Sequence, residues 1–79
     1  MTKSEQLLIF VNTLMERQFK KLRITELQKV GIRMSVYNIF EENYDIEHAY
    51  YELIEFLEDE ENLTSLIPEI KEHYSKINN

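Results

Sequence analysis

Residues 24–43 read ITELQKVGIRMSVYNIFEEN, and the punctuation of this stretch decides what kind of helical protein the chain makes. Thr25 to Gln28 form a capping box, in which a threonine hydroxyl and a glutamine side chain three residues on each satisfy the other's backbone donor. A helix is therefore expected from Glu26. The chain's one glycine, Gly31, follows shortly after. Glycine takes the left-handed conformation that closes a helix without steric cost, so the helix is expected to stop there after about a turn and a half. Ile32, Arg33 and Met34 would then form a connector. Ser35 would cap a second helix that carries Val36, Ile39 and Phe40 to the core, with Asn43 as its stop.

Helix, glycine turn, helix is the layout of a helix-turn-helix, whose apolar positions can be counted from the turn glycine. Val30, Ile32, Tyr37 and Phe40 occupy expected apolar places. Leu27 stands where a small residue should let the helices approach, and Glu26 where an apolar one belongs. The match is partial, and an ordinary pair of short packed helices is the competing reading.

Outward from this stretch, the N-terminal segment opens with a second capping box, Thr2 with Glu5, or at Ser4 if the end frays. Leu7, Leu8, Phe10, Val11, Leu14, Met15, Phe19 and Leu22 then recur at three- and four-residue intervals, the mark of an amphipathic helix. Its stripe is wide enough to serve the core on one side and an oligomer or partner seam on the other. On the C-terminal side, Asp45 is the expected cap of a helix whose line runs Ile46, Tyr50, Leu53, Leu57, flanked by Ala49, Ile54 and Phe56, with Tyr51 off the line. It should end between Glu58 and Asn62, where four successive acids oppose the helix dipole and no apolar residue is expected to sustain the face. A last helix begins between Ser65 and Pro68, since proline is tolerated in a first turn, and buries Ile67, Ile70, Tyr74 and Ile77.

One glycine and one proline leave little room for β-turns. The expected fold is all-α: a single domain over residues 1–79, a bundle of four to five helices with the helix-turn-helix-like pair in its middle. With 43% hydrophobic and 30% charged residues the chain should fold and be soluble, and no apolar run approaches a membrane span. The N-terminus has no secretory signal pattern and reads as mature protein. With no cysteine, disulfides and thiolate metal sites are excluded, which fits a cytoplasmic location.

Charge is very unevenly distributed. Between Glu16 and Arg33 stand Arg17, Lys20, Lys21, Arg23, Lys29 and Arg33 against Glu16 and Glu26 alone. From Glu41 onward come twelve acids, answered only by Lys71 and Lys76. A basic patch is joined to an acidic one, within a net charge of −6. Such a layout steers association with charged partners.

Little here supports catalysis. Ser35 has no histidine near it in sequence, and neither a glycine-rich phosphate loop nor a dinucleotide fingerprint occurs. The chain is not expected to be an enzyme or to hold a cofactor. His48 with Asp45 or Glu52, and His73 with Glu69, share helix faces, but a metal site needs three or four converging ligands. His73 reads instead as a cation near a helix C-terminus.

Two binding roles remain. In the first, the chain is a small regulator or inhibitor of bacterial or phage type that presents Glu52, Glu55, Asp59 and Glu60 with the exposed Tyr51 to a protein with a basic surface. In the second, residues 17–42 bind DNA, with Arg33, Ser35 and Asn38 at base edges and Arg17, Lys20, Lys21 and Lys29 on phosphates. The negative net charge weighs against the second, because nonspecific DNA affinity comes from neutralised phosphates. A structural subunit of an assembly is a third expectation, and a second copy of the chain is among the candidate partners.

Overall fold

The computed structural model describes residues 1–78. Four α-helices follow one another: α1 (Lys3–Phe19), α2 (Glu26–Glu42), α3 (Ile46–Asp59) and α4 (Ile67–Asn78), with a 3-10 segment, Glu61–Leu66, leading into the last. No strand occurs among the described residues. The class is all-α, as composition and turn residues imply.

Local chemistry sets where the helices start. Thr2 Oγ1 accepts from the Glu5 backbone N–H at 3.1 Å while Glu5 accepts from the Thr2 N–H at 3.0 Å. Thr25 and Gln28 repeat this at 3.1 and 2.8 Å. Asp45 accepts from the Glu47 N–H at 2.9 Å. Each cap satisfies a donor that the first helical turn leaves without a partner. Asn43 ends α2, donating its side-chain amide to the Ile39 carbonyl at 2.7 Å.

The helix-turn-helix-like pair does not form. α2 runs unbroken through Gly31, Ser35 and Asn38, and Gly31 has no left-handed backbone. Ser35 lacks the glutamate or glutamine three residues on that completes a capping box, and Asn38 stands there instead. Ile32, Val36 and Ile39 keep helical spacing across the expected break and are all buried. That continuous packed face stabilises the helix by more than the roughly 1 kcal/mol that an interior glycine costs relative to alanine.

Two further expectations change. α1 stops at Phe19, and Leu22 packs half-buried from the connecting loop. After Asp59 the chain is not bare of core residues. Leu63 and Leu66 are buried three apart, the spacing that brings side chains to one side of a 3-10 turn.

One cluster forms the core. Leu7, Val11, Met15, Leu53, Leu57, Leu63 and Ile70 at its centre are fully or almost fully buried. Leu14 joins them, and Phe40 is half-buried against the cluster. α1 and α3 are the inner pair, each touching all the other elements. α4 and α2 lie on different sides of them and do not touch each other among the described residues. Stacked rings fasten α4: Phe10 on His73, and Tyr50 on Tyr74, each with centroids 3.8 Å apart. His73, expected as a helix-terminal cation, is thus engaged through its ring face. Gln18 donates to the Asn62 carbonyl at 3.2 Å and ties the 3-10 segment to α1.

Candidate functional site

α2 and α3 pack side by side, and their outward edges leave an open groove of about 710 Å³. Ser35, Asn38, Ile39 and Glu42 form its α2 wall; His48, Glu52, Glu55, Phe56 and Asp59 form its α3 wall. Ser35 and Phe56 also line a second hollow of about 330 Å³, with Gly31, Gln28, Glu60 and Asn62, so the groove continues toward the N-terminus of α2. Ile39 and Phe56 supply apolar surface between the walls. Around them stand five carboxylates: Glu42, Glu52, Glu55, Asp59 and Glu60.

Helical spacing explains the α3 wall. Residues 48, 52, 55 and 59 recur at four, three and four, one line beside the buried stripe of Ala49, Leu53 and Leu57. Two hydrogen bonds hold the open end. Asn43 donates to Glu52 at 2.6 Å, and His48 Nδ1 lies 2.7 Å from Asp45. Asp45 is held below the usual carboxylate range, first by the Glu47 backbone N–H and then by His48. α3 carries Glu47, Glu52, Glu55, Glu58 and Asp59 without one lysine or arginine. Among the described residues none of these five forms an ion pair with a basic side chain.

The structure brings the expected protein-binding residues together in part. Glu52, Glu55 and Asp59 share the groove, and Glu60 lines its continuation while ending α3. Tyr51 is exposed but lies on the other side of α3, in a hollow with Tyr50, Ile54, Lys71 and Tyr74. Sequence reasoning left Glu42 out, weighed His48 only as a metal ligand and placed Phe56 beside the core stripe. His48 and Phe56 were within reach of a helical-wheel reading of α3, whereas Glu42 comes from another helix and no local pattern marks it.

The expected nucleic-acid set is dispersed. Arg33 makes two hydrogen bonds to Glu16, at 2.7 and 2.9 Å, and its guanidinium lies 5.2 Å from the Phe19 ring centre. Lys29 pairs with Glu26 at 2.9 Å. Ser35 and Asn38, offered as base-reading residues, face the acidic groove. Arg17 borders a different hollow, with Ile9, Phe10 and His73, and Lys20 and Lys21 are exposed just past the end of α1. Among the described residues no group of three histidine, aspartate or glutamate side chains is placed to hold a metal ion, and no helix is long and apolar enough to cross a membrane. Comparison with family models, with curated proteins and with solved structures finds no match.

Proposed function

We propose that this chain is a non-catalytic protein-binding module, a small regulator or inhibitor of another protein, and that the α2–α3 groove receives a basic segment of that partner. The observation that carries the reading is the groove's composition: five carboxylates around the apolar surface of Ile39 and Phe56, with no lysine or arginine among the described residues paired to an acid of α3. Lysine and arginine suit such a surface at both ends. Their aliphatic stems lie along apolar walls while the charged heads meet carboxylates. Like charges crowded on one helix repel, and a cationic partner relieves that repulsion on binding.

Nucleic-acid binding through residues 17–42 has less support. A duplex reaching Ser35 and Asn38 would bring its phosphates against Glu42, Glu52 and Glu55, where charge repels rather than neutralises them.

The test begins with capture of the partner from the source cell and measurement of association rates at two ionic strengths. For the wild-type chain the on-rate should fall steeply as salt rises, because exposed charges are screened beyond about 10 Å at 0.1 M salt. The double reversal Glu55→Lys with Asp59→Lys should slow association strongly at low salt with the fold intact. Equal rates for both proteins at both ionic strengths would leave the groove a solvated surface and end the proposal.

A further inference from the structure

α2 has a second apolar face that the described residues of its own chain leave uncovered. Leu27, Val30, Met34 and Tyr37 follow at intervals of three, four and three, the spacing of a two-helix seam. Their exposures are 81%, 43%, 59% and 54%. The buried face of the same helix, Ile32, Val36 and Ile39, points elsewhere, into the core. The reason is topological: α2 touches only α1 and α3 among the described elements, so its outer side meets nothing. The stripe is about 15 Å long at helical rise.

We infer that this stripe is the contact between two copies of the chain, paired antiparallel through α2. Pairing about a two-fold axis that crosses the stripe midway between Val30 and Met34 sets Leu27 of one copy against Tyr37 of the other, and Val30 against Met34, so each apolar side chain finds an apolar partner. Charge selects the direction. The chain entering α2 carries Lys20, Lys21 and Arg23, all exposed, and the acid of the first turn, Glu26, is paired with Lys29, whereas the last turn carries the exposed Glu41. Antiparallel pairing brings the basic end of each copy to the acidic end of the other, and it opposes the helix dipoles. Parallel pairing would place Glu41 against Glu41 and Arg23 against Arg23. A contact of four side chains per copy is smaller than a standard stable interface, so the dimer is a weak one that forms as concentration rises.

Sedimentation equilibrium on the full chain, from micromolar to millimolar concentration, tests this. The average mass should rise from that of the monomer toward twice that value. Met34→Glu changes an exposed side chain and should leave the helical spectrum and melting curve unaltered while weakening the dimer at least about tenfold, roughly 1.4 kcal/mol. Glu41→Arg should also weaken it, and adding Arg23→Glu to the same chain should restore it, because both end contacts are then exchanged together. A chain that stays monomeric throughout, or a dimer indifferent to Met34→Glu, overturns the inference. Failure of the double exchange to restore association overturns the antiparallel arrangement. The groove reversal Glu55→Lys with Asp59→Lys leaves the α2 stripe itself unchanged, so the two tests fail separately.

Discussion

Gly31 is exposed, helical and free of left-handed backbone, and a methyl group added at its Cα would meet nothing within 4 Å. Gly31→Ala should therefore stabilise the protein by about 1 kcal/mol, the difference between the two residues inside a helix. A higher denaturant midpoint checks this; a loss of stability would mean that the glycine is needed as a turn after all. Arg33, once a candidate reader of bases, ties α2 to α1 through Glu16, whose carboxyl is held below the usual range chiefly by that hydrogen bond. A carboxylate with a depressed native pKa contributes stability above its unfolded pKa of about 4.3, and the contribution is lost as pH falls through the native value. Glu16→Gln should accordingly be less stable than wild type at pH 7, with the gap closing as the solution is acidified below the usual glutamate range. A gap independent of pH would show that the pair contributes packing rather than charge.

Among the elements, the 3-10 segment Glu61–Leu66 is the one that the expected pattern omitted. A run of acids announces the end of α3, and it does end at Asp59, but the following residues still enter the core. The Leu63 N–H donates to the Glu60 carbonyl at 2.8 Å, which tightens the chain into a 3-10 turn and carries Leu63 to full burial. Leu63→Ala should therefore behave as a core truncation and cost about 2 to 5 kcal/mol, a large share of the stability of so small a domain. If the segment were a surface connector, the change would stay within about 0.5 kcal/mol. Urea unfolding distinguishes the two outcomes. α2 shows the complementary case, a helix whose start and stop were legible from Thr25 and Asn43 while its continuity was not.

Across the whole molecule, charge is sorted by place as well as by sequence. Most of the acids after Glu41 gather along α3 and its groove, with Glu69 and Glu72 apart on α4, while two of the central cations, Lys29 and Arg33, are bound to Glu26 and Glu16. The double reversal of Glu55 and Asp59 thus has a second consequence beyond association: by relieving repulsion along α3 it should not lower the melting temperature. A marked loss would mean that these carboxylates hold the fold. The all-α class, the starts at Thr2, Thr25 and Asp45, the stop at Asn43 and the buried line of Tyr50, Leu53 and Leu57 were legible in the residues alone, because caps and helical stripes are settled within a few positions of each other. Tertiary structure decided the rest. Gly31 stays helical because Ile32, Val36 and Ile39 pack with residues of α1 and α3 that are far away in sequence. Glu42 meets Glu52 and Asp59 in one groove because two helices lie side by side, and Leu27, Val30, Met34 and Tyr37 remain uncovered because no third element among the described residues reaches that side of α2.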